Sequence, residues 1–131
     1  MMPERKILVV EDDDFLLEMY STKLELEGFK VFNATNGVQG LKVAQRENPD
    51  LILLDLNLPE MSGFEVLEQL KKVDSTKDIL VVVLTNYSQK DNIDRCLELG
   101  ADDYLIKAHF VPSEVISKIK KLLEEKDNKN K

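Results

Sequence analysis

Three short apolar runs constrain this chain more than any other feature: KILVV (6–10), LILLDL (51–56) and ILVVVL (79–84). They are apolar at consecutive positions, not alternate ones. A strand with one wet face alternates, whereas a strand covered on both faces does not. Parallel sheets are covered on both faces because each crossover lays a helix across them. Two weaker runs, FKVFNA (29–34) and DYLIK (103–107), fit as further strands of the same sheet.

Helical patterns lie between the runs. Over 14–27, Phe15, Leu16, Met19 and Leu26 share one face, and Gly28 supplies the stop. Residues 37–47 form a shorter helix carrying Val38 and Leu41, ended by Pro49. SGFE (62–65) reads as a capping box, with Val66, Leu67, Leu70 and Val73 behind it at helical spacing. Ser88 with Asp91 predicts another helix start, with Ile93, Cys96 and Leu97 as its buried face and Gly100 as its end. The last helix carries Val115, Ile116, Ile119, Leu122 and Leu123, with Pro112 near its first position and Glu114 in its first turn. The order is βαβαβαβαβα. It predicts an α/β fold, a doubly wound five-stranded parallel sheet with right-handed crossovers. At 131 residues one domain is expected, over 5–124, with 125–131 as a solvated C-terminal tail.

Ligands of such sheets sit at the carboxyl ends of the strands. There the first strand delivers Glu11 and Asp12, the third Asp55, the fourth Thr85 and the fifth Lys107. The second delivers Asn33 and Thr35, while Asp13 and Asp14 belong to the helix start. Carboxylates at close range repel, and at least one holds its proton more tightly unless a cation joins them. A hard divalent ion, Mg²⁺ or Mn²⁺, is the natural guest for such oxygen ligands. A metal, an ammonium and a hydroxyl around one carboxylate are what a phosphoryl group requires, and that carboxylate can serve as nucleophile. Asp55, at the end of the most central run, is the candidate for an aspartyl phosphate.

The net charge of −7 argues against nucleic acid as a direct ligand. No apolar run reaches the ~18 residues of a membrane span, and MMPERK lacks the apolar stretch of a secretory signal. A single cysteine, Cys96, excludes an internal disulfide, and a cytoplasmic location is expected. His109, the only histidine, is expected in a loop.

Taken together, VVEDD, LLDLNLPEMSG, VVLT and ADDYLIK closely resemble the receiver domain of two-component response regulators, over about residues 5–124. The resemblance implies a flavodoxin-like fold with strand order 2-1-3-4-5. It implies that Asp55 accepts a phosphoryl group from a histidine kinase or phosphotransfer protein. Glu11, Asp12, Asp55 and the backbone carbonyl of Asn57 would be the metal ligands. Thr85 and Lys107 would bind the phosphoryl group, with Thr85 and Tyr104 as switch residues. The face made by the fourth helix, fifth strand and fifth helix would change for a downstream protein, in a monomer or a phosphorylation-dependent dimer. On this reading the chain is a signalling switch that promotes its own phosphorylation and dephosphorylation, not an enzyme acting on external substrates. Asn57 and Tyr87 are expected to set the dephosphorylation rate by gating the attacking water.

Three positions depart from the family pattern. Glu11 stands where aspartate is commonest, and Asn86 where a small residue is usual. Ala108 replaces the proline that usually follows the lysine, which removes the low-cost route to the family's cis peptide, since a non-proline cis bond costs ~3–4 kcal/mol. With no output domain after residue 131, a stand-alone receiver or relay intermediate is expected; a receiver cut from a larger DNA-binding or enzymatic regulator is the alternative. A phosphatase working through an aspartyl phosphate would want a second aspartate where Asn57 stands.

Overall fold

The computed structural model describes residues 4–129. Strands β1 (Lys6–Val10), β2 (Lys30–Ala34), β3 (Leu51–Leu54), β4 (Leu80–Thr85) and β5 (Asp103–Ile106) form one parallel sheet, ordered β2-β1-β3-β4-β5. Helices α1 (Asp14–Leu26), α2 (Gly37–Glu47), α3 (Gly63–Lys72), α4 (Lys90–Leu99) and α5 (Pro112–Lys129) alternate with them. This is the flavodoxin-like arrangement expected. Lys107 lies just past β5, in a 3₁₀ turn over Lys107–His109. There is no cis peptide among the described residues, so Lys107–Ala108 is trans.

Successive strand residues feed two different cores. Leu8, Val10, Ile52, Leu54, Val81 and Val83 pack beneath α2, α3 and α4. Ile7, Val9, Leu51, Leu53, Val82 and Leu84 pack beneath α1 and α5. Between the strand ends, from Ile7 to Val10, Leu51 to Leu54 and Val81 to Leu84, every position is therefore apolar, which is why these runs do not alternate. Each fully buried aliphatic side chain contributes roughly 1.5–3 kcal/mol. The outer strands β2 and β5 are only partly covered, and their sequences are correspondingly mixed.

Two helices differ from expectation. The face α1 buries is Leu17, Tyr20, Ser21 and Leu24, whereas Phe15 and Leu26 are 76% and 79% exposed. The run Phe15–Leu16–Leu17 allows several helical phases. The correct one turns on two residues with polar groups, of which Ser21 satisfies its hydroxyl by donating to Asn33 Oδ1 at 2.6 Å. Helix α4 starts at Lys90 behind Gln89, which makes no side-chain cap, so Ser88 is not the N-cap. Of Ile93, Cys96 and Leu97 only Cys96 is buried, and Leu97 is exposed. This helix packs chiefly on α3 and the edge strand β5, leaving it little apolar surface to cover.

Other boundaries follow their local chemistry. Ser62 caps α3, its hydroxyl accepting from the Glu65 N–H at 3.3 Å. Helix α2 ends at a left-handed Asn48 just before Pro49. Helix α5 runs on to Lys129, so 125–129 continue the helix instead of forming a separate tail. Arg5 pairs with Asp127, and Lys126 Nζ donates to the Asp78 carbonyl at 2.6 Å. Residues 130 and 131 lie outside the described part. No helix among the described residues is long and apolar enough to cross a membrane.

Candidate functional site

The ladder that pairs β1 with its neighbours runs one residue beyond the strands. The Asp55 N–H donates to the Val10 carbonyl at 3.1 Å, and the Glu11 N–H to the Ala34 carbonyl at 3.0 Å. These bonds set the two acids side by side at the carboxyl edge of the sheet. Both are buried, Glu11 at 4% and Asp55 at 6% exposure, while Asp12 is exposed.

Asp55 is held by its own turn. Its Oδ1 accepts from the Leu56 N–H at 2.7 Å and from the Asn57 N–H at 3.3 Å. The chain then doubles back through Glu60, at φ 68, and the Gly63 N–H donates to the Leu56 carbonyl at 3.0 Å. Helix α3 thus begins against the Asp55 backbone. A Cβ at Gly63 would stand 2.2 Å from the Asp55 carbonyl oxygen, so only glycine fits.

Lys107 reaches the same point from β5. Its Nζ lies 2.5 Å from Glu11 Oε1 and 2.9 Å from Asp55 Oδ2. Burial alone would lower the lysine pKa, but its bonds to Glu11 and Asp55 outweigh that and raise it. Burial raises the Glu11 pKa, and the nearby Asp55 adds to that, while the bonds from Lys107 and the Asp13 N–H oppose the rise. Asp13 also caps α1, accepting from the Leu16 N–H at 3.0 Å, and Asp14 sits in the first turn.

A pocket of about 210 Å³ opens here, with Glu11, Asp12, Asp55, Asn57, Thr85, Tyr87 and Lys107 among its walls. Thr85 is buried, and its Oγ1 accepts from the Tyr87 N–H at 3.4 Å, which leaves the hydroxyl proton free to donate elsewhere. Tyr104 does not line the pocket. Its hydroxyl donates to the Tyr87 carbonyl at 2.7 Å, tying it to the pocket wall, and burial pushes its pKa up to about 12. Asn33 and Thr35 lie away from the site, bonded to Ser21 and Gln39. His109 stays in the 3₁₀ turn, off the pocket.

Carboxylate oxygens of Glu11, Asp12 and Asp55 lie within 4.8 Å of one another. An all-oxygen set with one exposed member fits a hard divalent ion that keeps part of its water. Of the pocket acids the sequence singles out Glu11, Asp12 and Asp55 and leaves Asp13 to the helix start, and two residues beside the site, Gly63 and Tyr20, go unmarked. Gly63 was visible only as part of a capping box. Tyr20 shares a helical face with Leu17 and Leu24, but periodicity alone does not select that face over the one through Leu16 and Met19.

Comparisons with known proteins agree on one kinship. The response regulator receiver domain family matches residues 7–120. The chain is 39% identical over 122 residues to the phosphate regulon transcriptional regulatory protein PhoB of Pseudomonas aeruginosa, covering 93% of this chain and 53% of that protein. It is 36% identical over 127 residues to the sporulation initiation phosphotransferase F of Bacillus subtilis, covering 97% and 100%. The crystal structure of a CheY-like receiver domain protein from Methanospirillum hungatei aligns with a TM-score of 0.90 at 32% identity, covering 97% of this chain and 99% of that one. The chain spans about half the length of the transcriptional regulators it matches.

Proposed function

This chain belongs to the response regulator receiver family, and from that premise we propose that it is a phosphorylation switch with Asp55 as the acceptor. The observation that carries this is the Asp55 carboxylate itself: buried at the pocket, one oxygen on two backbone N–H groups and the other on Lys107. A nucleophile fixed in this way needs little reorganisation before in-line attack. An Asp55 oxygen bonds to the phosphorus of a phosphohistidine, the P–N bond breaks, and the imidazole leaves with the electron pair. Lys107 offsets charge on the phosphoryl oxygens, and the free proton of Thr85 serves a further oxygen.

Glu11, Asp12, Asp55 and the backbone carbonyl of Asn57 would hold Mg²⁺ or Mn²⁺. When bound, the ion neutralises phosphoryl oxygens and supplies much of the electrostatic stabilisation.

The readout runs through Thr85, Tyr87 and Tyr104. Movement of Thr85 toward a phosphoryl group pulls the segment whose Tyr87 carbonyl holds the Tyr104 hydroxyl. That couples the pocket to the face of α4, β5 and α5, where a downstream protein binds. Taking such a switch from 1:99 to 99:1 requires ~5.5 kcal/mol of preference. Asn57 and Tyr87, at the pocket mouth, set the lifetime of the phosphoryl group by admitting or excluding water. The donors are histidine kinases or phosphotransfer proteins.

A second reading is favoured by the half-length match to transcriptional regulators: a receiver that works attached to a DNA-binding output region. The acidic net charge leaves any DNA contact to that region. Under either reading, incubation with a small acyl phosphate and Mg²⁺ should add one phosphoryl group. Asp55→Asn should abolish it, and full labelling of that variant rejects the assignment.

A further inference from the structure

Beneath the pocket lies a second, smaller space. A cavity of about 10 Å³ is lined by Glu11, Tyr20 and Asp55 together with Val9, Leu53 and Leu84. That is close to the room one water molecule needs. Tyr20 comes from the buried face of α1 and is 5% exposed. Its hydroxyl bonds to no described residue, and the charges it senses are those of Lys107 and Glu11. No fully enclosed side-chain polar atom among the described residues is left unpaired. The Tyr20 oxygen therefore faces space that water can enter.

We infer that Tyr20 is a positioning residue for Glu11, acting through one water held between its hydroxyl and the Glu11 and Asp55 carboxylates. The hydrogen-bond count closes. The phenol donates to the water, and the water donates one proton to each carboxylate, so the Tyr20 hydroxyl gains the acceptor it lacks and each carboxylate adds a bond to those it already has. A tyrosine also stands out on a buried helical face otherwise made of Leu17, Ser21 and Leu24.

The inference rests on the reading of Glu11 as a metal ligand. Glutamate has one more torsion than aspartate, and this site must fix it. Lys107 holds Oε1 and the Asp13 N–H holds Oε2. Once Lys107 turns toward a phosphoryl group, Glu11 loses that restraint. The water and the phenol remain beneath it and keep the carboxylate aimed at the metal.

The test pairs metal-free crystal structures of the wild type and Tyr20→Phe with calorimetric Mg²⁺ titrations. Val9→Ile serves as a second variant that fills the cavity from its apolar wall and keeps the phenol. The wild type should show a water bonded to Tyr20 and Glu11. Tyr20→Phe should lose it and change the Glu11 rotamer. Both variants should bind Mg²⁺ ~10-fold more weakly, the low end for an outer-shell partner, with little change in metal-free Tm. An empty wild-type cavity, an unmoved Glu11 in Tyr20→Phe, or undiminished Mg²⁺ affinity overturns the inference. A wild type that holds the water but takes no Mg²⁺ rejects the metal reading, and the Glu11 rotamer in Tyr20→Phe then decides the positioning role alone.

Discussion

Lys107 Nζ sits 2.5 Å from Glu11 and 2.9 Å from Asp55, so one ammonium bridges acids that lie 96 and 52 positions away in the chain. All three groups are largely buried, and the lysine is a cation that makes two neighbouring carboxylates tolerable.

Replacing Lys107 with methionine should therefore destabilise the metal-free protein by ~3–5 kcal/mol, the usual cost of leaving a buried charge unpaired. Saturating Mg²⁺ should recover more of the loss in Lys107→Met than it adds to the wild type, because the ion then supplies the missing positive charge. Urea unfolding with and without Mg²⁺ measures both terms. Equal stability of the two proteins without metal would show that the acids do not depend on the lysine.

Mg²⁺ binding should depend on pH through Glu11. Its folded pKa is raised by burial, with Asp55 adding to the rise and Lys107 and the Asp13 N–H opposing it. The folded state thus holds the Glu11 proton more tightly than the unfolded chain. That contribution to metal-free stability is present below the unfolded value near 4.5 and is lost as pH rises through the folded one. Metal and proton compete for the same oxygens, so Mg²⁺ affinity should rise across that window. Calorimetry in two buffers of different ionisation enthalpy should detect proton release within it, falling away once pH passes the folded Glu11 value. Glu11→Gln should release fewer protons than the wild type within that window.

What could be read from the sequence divides along physical lines. The interior of the sheet was legible because β1, β3 and β4 are covered on both sides, so every residue from Leu51 to Leu54 must be apolar. The site acids and Lys107 were legible because a parallel sheet delivers all its strand ends to one edge. The phase of α1 was not, since Phe15, Leu16 and Leu17 are interchangeable to a periodicity argument and the deciding residues are Tyr20 and Ser21. Gly63 and Tyr20 act through distances between elements, which no local pattern encodes.

Gly63→Ala should show how tightly the Asp55 turn is held. The added methyl would sit 2.2 Å from the Asp55 carbonyl and 2.6 Å from Leu56 Cα, both backbone atoms that cannot rotate away. Relief requires α3 or the turn to shift, at a cost of ~1–3 kcal/mol typical of overpacking. Acyl phosphate labelling should slow at the same time, since the Leu56 and Asn57 N–H groups move with the turn. A variant with wild-type melting and labelling would show that the turn adjusts without consequence.

The bond from the Tyr104 hydroxyl to the Tyr87 carbonyl can be isolated with Tyr104→Phe, which keeps the ring and removes the donor. The loss should be ~1 kcal/mol at neutral pH. Burial raises the Tyr104 pKa from 10.0 to about 12, so the folded state resists ionising this phenol. Its contribution is full below pH 10 and disappears as pH rises through about 12. Cys96, raised to about 11 by burial, loses stability in an overlapping range and is common to both proteins. Its charge is also the second cause of the Tyr104 rise, so the difference between wild type and Tyr104→Phe in alkaline unfolding is measured in a Cys96→Ser background, where it reports Tyr104. It should narrow from pH 10 upward, and a difference that stays constant to pH 12 would place the Tyr104 hydroxyl in water instead of on Tyr87.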